Sequence, residues 1–165
     1  MYDELTAADI NKMQEEIDHR ILVLRPQLIK DVQEARAFGD LSENFEYKEA
    51  KRQKNRNESR IRYLQRMIRT ARVVEATDNG GISLFDKVKV VDEDGEEMSL
   101  QLVTTLRVDD ELGLISRQSP LGAALFGRKT GETVTVQVRP DFSYAVTILS
   151  VEKGEENDDL PISSY

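Results

Sequence analysis

The sequence predicts two unlike parts: an N-terminal antiparallel α-helical hairpin, then a small α+β domain built on a mainly antiparallel sheet. Three observations carry this. Apolar residues recur at steps of three and four through the first part, and at every second residue from position 87 onward. A short segment containing Gly39 interrupts the helical pattern midway. Thr77 to Gly81, Thr-Asp-Asn-Gly-Gly, is a linker signal. The expected domains are residues 1–76 for the hairpin with its tip at 39–47, 77–81 for the linker, 82–153 for the second domain and 154–165 for an acidic tail, expected to fray.

Residues 6–37 read as the first helix. Thr6 with Asp9 resembles a capping box. Ile10, Met13, Ile17, Ile21, Leu24, Leu28, Val32 and Ala35 draw one apolar stripe. Pro26 lies inside it, lacks a backbone donor, and should bend or divide the helix. The second helix is expected from about Ser42 to about Val74. Its seam runs Tyr47, Ala50, Lys54, Asn57, Ile61, Leu64, Ile68 and Ala71, a heptad pattern with two polar positions in the middle. Gly39 can take the backbone angles that end a helix, and so short a connection forces antiparallel neighbours.

Beyond the linker, Lys87 to Val91 reads as a strand and Asp94-Gly95 as a tight turn. Ser99 to Thr105 is the return strand, with a further strand at Leu112 to Ser116. Ser119-Pro120 opens a short helix ending near Gly127. Thr133 to Val138 and Tyr144 to Val151 complete the sheet.

Composition narrows the function. There is no Cys, which excludes a disulfide framework and a thiolate zinc site. Six per cent aromatic residues and no Trp argue against an aromatic-lined ligand pocket. No signal peptide or membrane-spanning run is visible, so a soluble cytoplasmic protein is expected. His19, the sole His, has no catalytic partner and reads as a surface residue. No phosphate-binding loop or Ser-His-Asp set is present, so a self-contained hydrolase is not expected. The net charge of −8 is segregated: residues 1–47 carry 5 basic and 11 acidic side chains, residues 48–72 carry 10 and 2, and residues 73–165 carry 8 and 18. A basic helix in an acidic chain suits a polyanion or an acidic protein surface. It equally suits a solvated helix paired with the acids of its neighbour.

The hairpin tip reads Gly39-Asp40-Leu41-Ser42-Glu43-Asn44-Phe45-Glu46-Tyr47. Asp40 and Glu43 can serve as a partial oxygen shell for magnesium, a cation that often takes only one or two protein carboxylates. They can also simply cap and charge the second helix, with Ser42. The spacing leaves both readings open.

Arg25-Pro26 through Glu34-Ala35-Arg36, the segment from Gly39 to Asn44, Glu46-Tyr47, and Ser119-Pro120-Leu121-Gly122-Ala123-Ala124-Leu125 together resemble the bacterial Gre transcript-cleavage factors. The resemblance covers about residues 5–152. It implies an FKBP-like second domain that docks at the rim of the secondary channel of bacterial RNA polymerase, with Ser119 and Pro120 at the docking surface. It implies that the hairpin enters the channel and that Asp40 and Glu43 help hold a Mg2+ ion shared with the polymerase, no cofactor being bound tightly. The polymerase then cleaves backtracked nascent RNA near its 3′ end, and the chain acts as a monomeric accessory factor rather than an enzyme. Arg36 and Lys51 match basic positions near the tip, and Arg52 and Arg56 on the basic helix would meet RNA or the channel wall. Phe38 and Phe45 depart from the family's usual small or polar residues. Family members with altered tips inhibit polymerase without stimulating cleavage, which is the alternative reading. An FKBP-like prolyl isomerase is a third, and it needs an aromatic pocket that Phe85, Phe126, Phe142 and Tyr144 would have to supply.

Overall fold

The computed structural model describes residues 3–39, 44–75, 79–156 and 162. The chain divides into two compact units, Ala8–Ala71 and Met1–Ala7 with Arg72–Tyr165.

The first unit is the hairpin. Helix α1 spans Ala7–His19, a five-residue π-helical stretch follows at Arg20–Leu24, and α2 spans Arg25–Arg36. Pro26 explains the middle piece. Its ring crowds the carbonyl four residues back and it has no N–H to give. The wider π turn absorbs this, and the Arg25 N–H reaches back five residues to the Arg20 carbonyl. The expected division at Pro26 is therefore present, as a π stretch just before it.

Helix α3 spans Phe45–Thr70, 26 residues or about 39 Å at 1.5 Å per residue. It is shorter at both ends than the periodicity suggested. It starts at Phe45 because Asn44 is its N-cap, and it stops before Arg72–Val73, which form a strand instead. Contacts between the arms nest: residue 16 meets 60, 20 meets 57 and 35 meets 44. This is an antiparallel pair. The buried seam consists of Met13, Ile17 and Ala35 facing Asn57, Ile61, Leu64 and Met67. Met67 takes the buried place expected for Ile68, because a 3.6-residue helix drifts against a 3.5-residue repeat. His19 is exposed, as expected.

The middle of the hairpin is polar and fully engaged. Asn57 is 3% exposed; its amide donates to the Arg20 carbonyl at 3.1 Å and accepts from the Arg20 guanidinium at 3.0 Å. Glu16 accepts from Arg20 at 2.7 Å and Arg60 at 2.8 Å. Arg25 holds Glu58 with two bonds of 2.7 and 2.9 Å. Of the basic helix's cations, Arg60 is thus paired across the arms with Glu16. Burial pushes the Glu16 carboxyl up, but the Arg60 and Arg20 hydrogen bonds outweigh it and hold it below 4.5.

The second unit draws its boundary differently from the expected residues 1–76 and 82–153. Strand β1, Glu4–Leu5, pairs in parallel with β2, Arg72–Val73. Leu5 is fully buried, and Arg117 and Gln118 both bond the Glu4 carboxylate. The first residues of the chain therefore belong with the sheet unit. The main sheet holds β3 (Lys87–Asp92), β4 (Glu97–Val103), β5 (Leu114–Ser116), β6 (Thr133–Arg139) and β7 (Phe142–Glu152), in the order β5-β4-β3-β7-β6. Every pairing is antiparallel except β4 with β5. Val88, Val90, Leu102, Val134, Val136, Val146 and Ile148 form the core with Ile82, Ile115 and Leu125. A bulge opposite Lys89 and Val90 adds one residue to β7, so Leu149 turns outward and the alternation resumes with Val151 inward. The turn at Asp94-Gly95 is present; the Asp92 carboxylate accepts from the Asp94 and Glu96 N–H groups, both at 2.9 Å, and Gly95 has φ +83°.

The tail does not fray at Gly154. The Gly154 N–H donates to Asp86 at 3.1 Å, Lys153 bonds the same carboxylate at 2.9 Å, and Glu156 accepts from Thr6. Residues 157–161 and 163–165 lie outside the described residues.

Candidate functional site

The tip's flanks are built from both arms. Helix α2 ends at Arg36, and Gly39 follows with φ +125°, a conformation that favours Gly. The last carbonyls of a helix have no partner within it. That of Ala35 accepts from the Phe38 N–H at 3.2 Å and from the Asn44 amide at 2.7 Å. The same Asn44 side chain accepts from the Tyr47 N–H at 2.9 Å, capping α3. One residue thus serves the end of α2 and the start of α3. The residue that caps α3 is Asn44, which neither reading of Asp40, Ser42 and Glu43 names. Asp40, Leu41, Ser42 and Glu43 themselves lie outside the described residues.

A second contact crosses beside the first. The Arg36 guanidinium lies 5.6 Å from the Tyr47 ring centre and donates to its hydroxyl at 3.4 Å. That bond, aided by nearby Lys51, holds the Tyr47 phenol below its usual 10.0. Phe38 and Phe45 flank the turn at 75% and 81% exposure, with the Lys48 ammonium over the Phe45 ring.

The four basic positions separate into two groups. Arg36 and Lys51 lie on either side of Tyr47, Lys51 one helical turn beyond it. Arg52 and Arg56 share a different face of α3, one turn apart. Arg52 is tied to Glu49 at 2.7 Å, whereas Arg56 is exposed with no ion pair among the described residues. Among those residues no group of three or more acidic or His side chains could hold a metal ion.

In the sheet unit, Ser119 and Pro120 begin helix α4, Pro120–Leu125. The Ser119 hydroxyl donates to the Ser116 carbonyl at 2.7 Å and accepts from the Gly122 N–H at 3.1 Å. A side chain on Gly122 would strike the Ser116 carbonyl. The Ser-Pro-Leu-Gly segment is therefore a helix start pressed against β5, and Pro120 is its exposed part. Phe85 is 1% exposed in the core, so it lines no aromatic pocket.

Periodicity did not find Asn44 as the clasp between the arms, nor the Arg20–Asn57 bridge. The signal for Asn44 was present: a cap-favoured residue directly before an unbroken helical pattern. Three other polar residues just upstream obscured it.

Two family descriptions fit the chain in succession: the N-terminal region of a transcription elongation factor over residues 4–73, and the GreA/GreB C-terminal region over residues 77–153. The transcription elongation factor GreA of Oenococcus oeni is 38% identical, with 92% of this chain and 95% of that one covered. The GreA of Rhizobium etli is 40% identical, with 91% and 96% covered. The solved GreA factor homolog 1 of Thermus thermophilus is 24% identical over 93% of this chain and 100% of that one, with a TM-score of 0.44, too slight a likeness to carry a functional argument.

Proposed function

This chain belongs to the GreA/GreB family of transcription elongation factors, and on that premise we propose that it stimulates bacterial RNA polymerase to cleave backtracked nascent RNA. Arrested complexes are thereby rescued. The chain is an accessory factor; the polymerase holds the RNA and performs the hydrolysis. The observation that carries the reading is the pair Asp40 and Glu43, separated by two residues at the turn of an antiparallel hairpin.

The donor set suits a hard cation, since both groups are carboxylates and magnesium prefers oxygen. Bound in the polymerase centre, that ion supplies charge stabilisation to the attacking and leaving oxygens. The chain's own contribution is to bring carboxylate oxygens to that centre and to orient or deprotonate the attacking water. The proposal places Asp40 and Glu43 in those roles. Arg36, Lys51, Arg52 and Arg56 would meet the RNA or the channel wall, Arg56 most freely because it has no ion pair among the described residues. Pro120 and the capped helix behind Ser119 would form part of the docking surface at the channel rim. No described helix is long and apolar enough to cross a membrane. A monomer working in the cytoplasm, where transcription occurs in bacteria, completes the proposal.

The test is a stalled, backtracked elongation complex incubated with Mg2+ and the protein. Shortened RNA with resumed synthesis is the expected result. Arrest without shortening overturns the reading and favours the inhibitory alternative, to which the exposed Phe38 and Phe45 lend their weight.

A further inference from the structure

Asn44 caps α3, yet among the described residues it is also the side chain that bonds both ends of the interrupted hairpin. Its amide nitrogen reaches the Ala35 carbonyl at 2.7 Å across the arms. Its oxygen takes the Tyr47 N–H at 2.9 Å. Ala35 is 6% exposed, so the acceptor is a fixed, desolvated one. The Arg36–Tyr47 contact runs parallel to this bridge, from the next residue of α2 to the same first turn of α3. Between Gly39 and Asn44 lie only four residues, and the two acids are the first and last of them. The bridge therefore sets the separation of the two chain ends from which Asp40 and Glu43 depart.

From this we infer that Asn44 is a positioning residue for the tip acids: it clasps α2 to α3 and fixes the loop base so that two carboxylates arrive together at one cation. The inference rests on the cleavage reading above. An ordinary helix cap requires only the acceptor half of the amide. The donor half, which caps the last turn of the opposite arm, is what the N-cap of α3 alone does not explain: it ties the two helix ends together.

Asn44→Ser separates the two halves. Serine keeps an N-cap acceptor, so the fold should hold, but it is too short to reach Ala35. Cleavage of a backtracked complex at saturating factor is expected to fall about tenfold or more, since small misplacement of reacting groups is costly. The Mg2+ concentration for half-maximal cleavage should rise, while competition for polymerase against the unmodified protein changes little. A merely structural role would lower the folded fraction and leave the Mg2+ dependence where it was. Full cleavage with unchanged Mg2+ dependence for Asn44→Ser overturns the inference, provided Asp40→Asn abolishes cleavage in the same assay. If Asp40→Asn also cleaves normally, it is the cleavage reading itself that fails.

Discussion

Replacing Asn57 by Ala tests the polar middle of the hairpin. The side chain is 3% exposed and makes two hydrogen bonds to Arg20, one of them from the charged guanidinium. A neutral hydrogen bond contributes about 1 kcal/mol net and a charged one about 1.5–3 kcal/mol. The Arg20 carbonyl keeps its bond from the Arg25 N–H, and the guanidinium keeps Glu16, so neither is wholly stranded. The expected loss is therefore about 2–3 kcal/mol, which in a domain of this size lowers the melting temperature by about 10–20 °C. Asn57→Leu should cost far less, because a similar apolar volume needs no partner. Urea and thermal unfolding of the full chain, followed by its helical circular dichroism, measure both. An Asn57→Ala variant within about 0.5 kcal/mol of the parent would refute the reasoning that this bridge stabilises the paired arms.

Other outcomes follow from the same geometry. Glu16 and Glu58 both titrate below their usual 4.5, Glu58 chiefly through its bonds from Arg25, so their contribution is complete above that value and is lost as pH falls through the lower folded values. Each should remove about 1 kcal/mol on acidification, read as a falling urea midpoint, with no change near neutrality. Gly122→Ala should cost about 1–3 kcal/mol in a thermal melt through its clash with the Ser116 carbonyl. Ser119→Ala should cost about 1 kcal/mol as a lost cap. Neutralising Arg56 should lower the salt sensitivity of action on long backtracked RNA by up to about 0.7 in logarithmic slope. Neutralising Arg52 should do less, because Glu49 already holds it; an equal effect of the two would contradict the assignment.

How much of this was readable beforehand depends on the range of the interactions concerned. The paired arms, the Asp94-Gly95 turn and the Ser119-Pro120 helix start are written in local periodicity and cap chemistry, and all appear. The short parallel pair Glu4–Leu5 with Arg72–Val73 is not, because two-residue strands have no period and join residues far apart in sequence. That pairing ends α3 early and moves the first residues into the sheet unit. The anchoring of Gly154 by Asp86 is likewise a long-range event in a segment whose acidic composition suggested fraying. At the tip, Asp40 and Glu43 lie outside the described residues, and the roles given to them and to Arg36 and Lys51 came from the family resemblance. The clasp by Asn44 needed the second arm in view, since its key partner, the Ala35 carbonyl, is a backbone atom with no signature in the sequence.

The most direct measurement is cleavage of RNA in a backtracked elongation complex by the parent protein, Asp40→Asn and Glu43→Gln side by side, with polymerase binding determined for each. The account predicts that the parent shortens the transcript and that each variant binds polymerase nearly as well while failing to stimulate cleavage. Either variant cleaving at the parent's rate would contradict it.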